Sequence, residues 1–371
     1  MQKEFIGKDS LKKIKEIVNG ESIKNVFLVT GKASFQLSGA GEILKNLLDG
    51  KNVTLFNSFQ ANPLIDEAEI GINLFNKSNP DIVIAVGGGS VLDMAKLIKI
   101  LAAQNNLDYY KIIKNPNLII NKGVPLVAIP TTAGSGSQST HFAVVYVNKN
   151  KYSLAHKYML PEVAIVDPVL TYNTPKIVAA SSAMDALSQA VESYWSAYAN
   201  SESKVYAAKS IKLILRSIKS AVLDKDDFAM SEIALASHLA GKAINITKTT
   251  APHAMSYILT SKFNIPHGHA VSLFLAPAAL ITYKIGDNLC NDVLDEICNF
   301  FECASIEEFY NKWIKLMHAL GLTSKLKDLS IDMTHLDLIV SNVNIERLKN
   351  HPTLLNKKDL EDIVEIAIIG A

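Results

Sequence analysis

Six short runs rich in β-branched and aliphatic residues, separated by helical segments, constrain the fold of this chain more than any other feature. Most of the runs are continuously apolar instead of alternating, as in strands that are covered on both faces. Repetition of strand, helix and strand predicts an α/β unit with a parallel sheet and helices on both sides. The runs are residues 25–30, 52–56, 82–86, 125–129, 142–147 and 163–166, and helical patterns such as 68–76 and 91–103 lie between them.

The run at residues 142–147 also fits a second interpretation. Residues 148–151, Asn-Lys-Asn-Lys, are typical of a turn. This run is therefore either a strand of the sheet or one arm of a hairpin.

The pattern changes near residues 171–175, and we predict no strand beyond that point. Helical periodicity marks residues 180–197, 203–222, 230–246, 306–320 and 360–369. The chain has 371 residues, and a single hydrophobic core usually stops growing beyond ~250–300 residues. We therefore predict two domains, an α/β domain over residues 1–175 and an all-helical domain over residues 176–371. A cleft between them is the first place to expect chemistry, because open α/β sheets bind ligands beyond the carboxyl ends of their strands.

The composition excludes several classes of protein. A content of 49% hydrophobic and 20% charged residues supports packed cores and excludes a disordered chain. The net charge of +1 provides no basic field for DNA or RNA. Charged residues interrupt the apolar runs before the ~18–20 residues of a membrane span, and the first residues lack the apolar stretch of a signal peptide. We expect a cytoplasmic protein with no nucleic-acid or membrane partner, whose cysteines, Cys290, Cys298 and Cys303, are reduced thiols.

The run at residues 82–86 leads directly into Gly87, Gly88, Gly89 and Ser90, and a helical pattern follows. A strand, a glycine turn and a helix N-terminus form an anion site, because the backbone can approach closely and free N–H groups point at the ligand. A phosphate or pyrophosphate is the natural ligand. The same four residues are also compatible with an ordinary tight turn.

A second small-residue loop strengthens the phosphate interpretation. Residues 130–138, Pro-Thr-Thr-Ala-Gly-Ser-Gly-Ser-Gln, follow another buried strand and supply hydroxyl and backbone donors. Such a loop suits a nucleotide phosphate or ribose, and the alternative is a merely flexible loop. Neither a Gly-x-Gly-x-x-Gly after the first strand nor a Walker lysine motif is present.

A second group of residues has the composition of a metal site. Asp185 and Gln189 share one helix face, since they are four residues apart. His253 and His267 add two imidazoles, and Pro266 can open a helix at His267. This donor set suits zinc or ferrous iron with a position open for substrate. The alternatives are a capping or paired aspartate, a surface glutamine and hydrogen-bonded core histidines, and His269 competes with His267 as a ligand.

Together these residues resemble the iron-dependent, or group III, alcohol dehydrogenases. The motifs are residues 87–96 (GGGSVLDMAK), 130–137 (PTTAGSGS), 184–187 (MDAL) and 266–268 (PHG), and they occur in the family's order over roughly residues 20–280. The resemblance implies an N-terminal dinucleotide-binding α/β domain and a C-terminal helical domain for metal and substrate. It also implies an NAD(P)-dependent oxidoreductase with a divalent metal, Fe²⁺ or Zn²⁺, that forms a homodimer or larger oligomer.

The resemblance assigns roles to individual residues. The implied cofactor contacts are Gly88, Gly89, Ser90 and Asp93 at the glycine turn, Thr131, Thr132 and Ser135 in the second loop, and Lys151 and Leu170 further along. The implied metal ligands are Asp185, His253 and His267.

Three positions depart from the family pattern. Gln189 stands where the family usually has a histidine ligand, and an amide oxygen is a weaker, neutral donor. Tyr257 stands where members often have a further histidine, and its hydroxyl is a candidate proton donor. After the first strand, Gly31 and Lys32 replace the aspartate of NAD-selective members. This favours NADPH, since no carboxylate repels a 2′-phosphate and Lys32 can attract it.

Within the family, residues 185–192 and 248–257 look most like phosphonoacetaldehyde reductases, which implies reduction of phosphonoacetaldehyde to 2-hydroxyethylphosphonate. Lys248 is then a candidate contact for the anionic group. The alternative is a general alcohol, butanol or lactaldehyde-type dehydrogenase of the same family. More distant alternatives are a lyase of the dehydroquinate synthase type and a non-catalytic cofactor-binding protein.

Overall fold

The structure is a computed structural model that describes residues 2–20, 22–104, 108–148 and 150–371. The chain divides into two compact units, Met1–Thr174 and Pro175–Ala371. All strands of the described residues belong to the first unit.

The first unit contains a six-stranded sheet in which every pair of neighbouring strands is parallel. The structure describes eight strands, of which all but β6 and β7 belong to this sheet: β1 (Lys3–Ile6), β2 (Asn25–Thr30), β3 (Asn52–Phe56), β4 (Ile82–Gly87), β5 (Leu126–Pro130), β6 (Phe142–Val147), β7 (Asn150–Ala155) and β8 (Val163–Val166). The sheet order is β1-β8-β5-β4-β2-β3. This confirms the predicted parallel α/β architecture.

The hairpin interpretation of residues 142–147 is confirmed. β6 pairs antiparallel with β7 in a separate two-stranded sheet. Of the predicted turn at residues 148–151, Lys149 lies outside the described residues. The sequence did not reveal β1 and β7, because neither Lys-Glu-Phe-Ile nor Asn-Lys-Tyr-Ser-Leu-Ala contains an apolar run. β1 is charged and largely exposed, whereas β7 is mostly half-buried with polar residues between its apolar ones.

Both faces of the sheet are buried, which explains the continuously apolar strands. Val26 and Leu28 of β2 belong to one apolar cluster, whereas Phe27 and Val29 belong to the other. The helices of this unit are α1 (Ile14–Val18), α2 (Lys32–Leu37), α3 (Ala40–Leu47), α4 (Ile65–Ser78), α5 (Gly89–Ala102) and α6 (Tyr109–Lys114). Residues of α1 and α3 pack in the first cluster, and residues of α4 and α5 pack in the second.

The second unit is helical throughout its described residues, as the sequence predicted. Its helices are α7 (Lys176–Trp195), α8 (Ser201–Lys219), α9 (Asp227–Thr247), α10 (Ala251–Phe263), α11 (His267–Ile285), α12 (Asn288–Phe300), α13 (Ile306–Ala319), α14 (Leu336–Ser341), α15 (Ile345–Leu348) and α16 (Lys357–Ile369). α7 packs against α8, α9 and α11, so it forms the centre of the unit. All three cysteines are free and buried.

The expectation that charged residues interrupt every apolar run is wrong for one segment. One helix among the described residues, α11, is long and apolar enough to cross a membrane by length and composition alone. The most apolar stretch of α11 has a mean hydropathy of 1.3, and 78% of it is buried inside the protein. The core helix of a folded protein has the same properties.

A buried lysine of α5 pairs with Glu162, next to the N-terminal ends of β8 and β5. The side chain of Lys99 is fully buried, and its Nζ lies 3.0 Å from both carboxylate oxygens of Glu162. Glu162 also accepts a hydrogen bond from the backbone N–H of Leu126 at 2.7 Å and pairs with the exposed Lys122 at 3.1 Å. Burial lowers the pKa of Lys99, although the charge of Glu162 opposes this shift. The buried ammonium therefore depends on this single carboxylate.

We expect Glu162→Gln to lower the free energy of unfolding by about 2 kcal/mol, because it leaves a buried ammonium without its counter-ion. Lys122→Gln is the matched control, since it removes the exposed partner of the same carboxylate and should cost less than about 1 kcal/mol. Urea unfolding followed by far-UV circular dichroism measures both. Equal losses for the two variants would contradict the assigned importance of the buried pair.

Candidate active site

The glycine turn of the first unit joins a buried strand to an uncapped helix. β4 ends at Gly87, Gly88 is extended with φ −73° and ψ −177°, and α5 begins at Gly89. No side chain caps the first turn of α5. Its first N–H groups therefore remain available to an anion.

The second small-residue loop lies directly against this turn. A Cβ at Gly89 would lie 2.7 Å from the Ser135 Oγ, and a Cβ at Gly88 would lie 3.5 Å from the Thr132 Oγ1. Glycine at position 89 therefore makes room for the loop. Thr131 is buried beside them, and its Oγ1 has no hydrogen-bond partner among the described residues. The fold thus brings together the two motifs that the sequence singled out.

Asp93 attaches α5 to the loop and to the hairpin. Its carboxylate accepts hydrogen bonds from the Ser137 Oγ at 2.7 Å and from the Val144 N–H at 2.9 Å. Burial raises the pKa of the Asp93 carboxyl, while Lys96 and the half-buried Lys151 of β7 act in the opposite direction. The Asp93 side chain therefore holds the loop at residues 130–138 against α5 and β6.

Lys96 is a site residue that the sequence reasoning missed. Its Nζ is buried and donates to the Ser137 Oγ at 2.9 Å, the Thr140 Oγ1 at 3.1 Å and the Phe142 carbonyl at 2.9 Å. Burial lowers the pKa of Lys96 to about 8, although Asp93 opposes this shift. The available signal was a lysine three residues after an aspartate in an otherwise apolar helix.

The remaining residues implied as cofactor contacts have different surroundings. The Ser90 Oγ accepts a hydrogen bond from the Asn62 N–H at 3.1 Å. Gly31 is the N-cap residue of α2, and a Cβ there would lie 3.4 Å from the Val91 Cγ2 in the first turn of α5. Lys32 is exposed at the start of α2. The Leu170 side chain, in contrast, is buried in an apolar cluster.

In the second unit, three potential metal ligands converge from three helices. Asp185 lies on α7, His253 lies on α10, and His267 is the first residue of α11. Each offers one ligand atom, and these atoms all lie within 4.8 Å of one another. The His253 Nε2 is 3.4 Å from the Asp185 Oδ1, an atom that is buried and has no hydrogen-bond partner among the described residues.

The close approach of α11 to α7 requires glycine at position 268. A Cβ there would overlap the backbone oxygen of Ser181 and would lie 2.6 Å from the Asp185 Cβ. The neighbouring His269 faces away from this trio, since its Nε2 is 2.6 Å from the Thr323 carbonyl oxygen. The geometry therefore favours His267 over His269 as a ligand.

Gln189 lies one turn after Asp185 on α7 and is 3% exposed. It is close enough to Asp185 to contribute to lowering the pKa of that carboxyl. The Oε1 of Gln189 is buried and has no hydrogen-bond partner within the described part of the chain. A free amide oxygen is thus available next to the three converging residues.

Glu192, which the sequence reasoning missed, orients His253. Its carboxylate is fully buried and accepts hydrogen bonds from the Thr250 N–H at 2.9 Å and the Thr250 Oγ1 at 2.8 Å. It also forms a short hydrogen bond with the His253 Nδ1. This contact directs the Nε2 of the ring toward Asp185. The available signal was an acidic residue seven positions after Asp185, on the same helix face.

The two buried carboxylates attract positive charge. Burial disfavours the protonated His253, but Glu192 and Asp185 outweigh burial and raise the pKa of His253 to about 9. Burial also raises the pKa of Asp185, but the adjacent His253 ring and the charges of the two histidines outweigh it, so this pKa is lowered. The site therefore favours a cation between the two carboxylates.

Tyr257 and Lys248 border this group. The Tyr257 ring stacks on the His267 ring, with centroids 6.3 Å apart and an interplanar angle of 22°. Burial raises the pKa of Tyr257, so its hydroxyl keeps its proton at neutral pH. Lys248 is exposed at the end of α9 and has a left-handed φ of 60°.

Two family models cover most of the chain. The model described as iron-containing alcohol dehydrogenase matches residues 2–168. The model described as the C-terminal domain of the Fe-containing alcohol dehydrogenase family matches residues 179–368.

Individual relatives agree with these matches. The chain is 34% identical to long-chain-alcohol dehydrogenase 1 of Geobacillus thermodenitrificans over 68% of its own length and 65% of that enzyme. An iron-containing alcohol dehydrogenase from Thermotoga maritima has a TM-score of 0.88 and 28% identity, covering 99% of this chain and 98% of that one.

A sulfoacetaldehyde reductase from Bifidobacterium kashiwanohense, solved with NAD⁺, has a TM-score of 0.90 and 27% identity, covering 99% of this chain and 97% of that one. The family models, the parallel sheet with its glycine turn and the three converging ligands all lead to one assignment. The chain belongs to the iron-containing alcohol dehydrogenase family.

Proposed function

We propose that the protein is a metal-dependent NAD(P)H oxidoreductase that reduces phosphonoacetaldehyde to 2-hydroxyethylphosphonate. The observation that carries the proposal is the convergence of Asp185, His253 and His267 within 4.8 Å. The structural similarity to a reductase of sulfoacetaldehyde, another small aldehyde with an acidic group, supports the substrate class.

The residues of the second unit fit a divalent metal. The Asp185 Oδ1 and the Gln189 Oε1 are buried without hydrogen-bond partners among the described residues, and two imidazoles lie beside them. A carboxylate, an amide oxygen and two imidazoles suit Fe²⁺ or Zn²⁺. Asp185, His253 and His267 would hold the ion, with Gln189 as the fourth ligand. When bound, the ion supplies a Lewis acid that polarises the carbonyl oxygen of the substrate.

The residues of the first unit fit a dinucleotide. The uncapped first turn of α5 suits a pyrophosphate, and the hydroxyls of Thr132 and Ser135 lie beside Gly88 and Gly89 at this turn. Thr131 belongs to the same loop and is a further proposed contact. Ser90, Lys151 and Leu170 complete the proposed set of contacting residues. Asp93, which the resemblance also implies as a contact, acts indirectly in this proposal, since its carboxylate is bonded to Ser137 and Val144. When bound, the nicotinamide supplies the hydride. NADPH is preferred in this proposal, because Gly31 and Lys32 leave room and positive charge for a 2′-phosphate.

Side chains of the protein perform the remaining tasks. Glu192 holds the Nδ1 of His253 and thereby fixes the direction of its Nε2. Tyr257 keeps its proton, since burial raises its pKa, and its hydroxyl is the proposed donor to the oxygen that becomes the alcohol. Lys248 is a proposed contact for the acidic group of the substrate.

The same proposal covers the organisation of the protein. Residues 1–175 form the dinucleotide-binding domain and residues 176–371 form the metal and substrate domain. The enzyme works as a cytoplasmic homodimer or larger homo-oligomer. A second candidate function is reduction of uncharged aldehydes, which the similarity to a long-chain-alcohol dehydrogenase favours.

The direct test is the initial rate of NADPH and NADH oxidation by metal-reconstituted protein with phosphonoacetaldehyde, butyraldehyde and lactaldehyde. We expect net oxidation with preference for phosphonoacetaldehyde, and a loss of at least about 100-fold in His267→Ala, because a ligand of the Lewis acid is removed. His335→Gln, a change in a partly exposed histidine paired with Asp332, is the matched control. Absence of net oxidation with every aldehyde would contradict the proposal and favour a lyase or a non-catalytic protein.

Gly31→Asp should shift the preference from NADPH toward NADH by about 10-fold or more, because the carboxylate repels a 2′-phosphate and accepts from the ribose 2′-hydroxyl. The backbone at Gly31, with φ −77° and ψ 155°, suits any residue, but the new Cβ would meet the Ser34 Oγ. The change is therefore made in a Ser34→Ala background, which alone is the control. The measurement is the ratio of kcat/KM for NADPH and NADH. Equal losses of kcat/KM with both cofactors would contradict the proposal that Gly31 leaves room for a 2′-phosphate.

Glu192→Gln should weaken metal binding by about 10- to 100-fold, the usual cost of removing the partner that orients a histidine ligand. Competition with a chelator measures the Kd for Zn²⁺ without reference to turnover. Glu296→Gln is the control, since Glu296 is half exposed and bonds Tyr194 on the surface of the same unit. An unchanged Kd in Glu192→Gln would show that His253 needs no such support.

A further inference from the structure

Among the residues that the structure describes, none forms an ion pair with Arg347. It lies on the short helix α15 and is half-buried. Its guanidinium makes no hydrogen bond or ion pair with any residue that the structure describes. The neighbouring charges do not supply one, because Glu346 and Lys349 pair with each other at 2.8 Å. Half-buried guanidinium groups are usually paired, since desolvation without a counter-charge is costly.

The helix that carries Arg347 packs against α10, which carries His253 and Tyr257. Among the charges that act on Tyr257, that of Arg347 has a larger effect than those of Glu192 or Asp185, and it lowers the pKa that burial raises. The guanidinium is therefore an electrostatic neighbour of the proposed proton donor.

Hydrogen bonds fix this segment beside the start of α10. The Asn350 Nδ2 donates to the Thr249 carbonyl at 3.0 Å, and the Asn350 carbonyl accepts from the Ala197 N–H at 3.0 Å. Leu348, the residue after Arg347, is buried, with 8% of its surface exposed. Lys248 immediately precedes Thr249, so a second cation lies next to the anchored segment.

The charges around the proposed ligands do not cancel. Asp185 and Glu192 together carry two negative charges, which a divalent ion would balance. Arg347 and Lys248 then remain as two cations without an anionic partner among the described residues. This surplus of positive charge is complementary to an anionic ligand.

We propose that Arg347 binds the oxyanion group of an anionic aldehyde, a phosphonate or a sulfonate, while the aldehyde end points toward His267 and Tyr257. The planar guanidinium can donate two parallel hydrogen bonds to such a group, which a lysine cannot reproduce. Lys248, which is exposed next to Thr249, supplies a second positive charge to the proposed oxyanion site. This inference rests on the proposed function and names the residue that would set its substrate class.

A phosphate of the cofactor is the other possible source of an oxyanion. The test must therefore separate substrate binding from cofactor binding. Binding of ethylphosphonate, which cannot be reduced, is measured by calorimetry on the metal-loaded protein with saturating NADP⁺. The KM values for phosphonoacetaldehyde, sulfoacetaldehyde, butyraldehyde and NADPH are measured on the same preparations.

In Arg347→Gln we expect the Kd for ethylphosphonate and the KM for both acidic aldehydes to rise about 10- to 100-fold, as for the loss of a charge-assisted hydrogen bond. The KM for butyraldehyde and for NADPH should stay within about 3-fold, since neither uses this guanidinium. Arg347→Lys should recover part of the loss. Lys349→Gln, a change to an exposed cation on the same segment, is the matched control and should match the unmodified protein.

Two results would overturn the inference: equal KM changes for acidic and uncharged aldehydes, or a rise in the KM for NADPH alone. If the protein reduced no aldehyde at all, the proposed function would fail, and the ethylphosphonate Kd would still decide whether Arg347 binds an oxyanion. If it reduced butyraldehyde but Arg347→Gln left the ethylphosphonate Kd unchanged, only the role of Arg347 would fail.

Discussion

The close contact between α7 and α11 at Gly268 is the constraint on which the rest of the candidate site depends. Any side chain at this position would overlap the backbone of Ser181, so the two helices could not approach as they do. Because His267 immediately precedes this glycine, the same contact brings its ring beside Asp185. Buried carboxylates then determine the chemistry, since Asp185 and Glu192 favour a cation between them and leave His253 with its Nε2 directed inward.

In the first unit, too, a glycine allows two segments to approach closely. Gly89 provides the space that Ser135 occupies, and the buried Lys96 and Asp93 hold the following loop and the hairpin in place. The residues that would face a cofactor are therefore small, while the charged residues of the same motif form the hydrogen bonds that position the loop and the hairpin. This division explains why a motif rich in glycine and serine also contains an aspartate and a lysine.

Much of the fold was predictable from the sequence, because buried parallel strands and long amphipathic helices leave strong local patterns. The β2, β4 and β5 runs, the hairpin arm and the helix that opens at His267 are examples. β1 and β7 were missed because polar and charged residues interrupt their apolar positions. Asp185, His253 and His267 were identified from type and spacing. The roles of Glu192 and Lys96, and the proposed role of Arg347, depend instead on which side chains surround them. Such surroundings come from tertiary packing and leave no local pattern.

The most direct test of the central claim is anomalous diffraction at the zinc or iron absorption edge from crystals of the metal-loaded protein. The account predicts one strong peak at bonding distance from Asp185, His253 and His267, with the Gln189 Oε1 as the remaining protein ligand. A peak at His269 or at the cysteines, or no peak among these three helices in a fully loaded crystal, would contradict it.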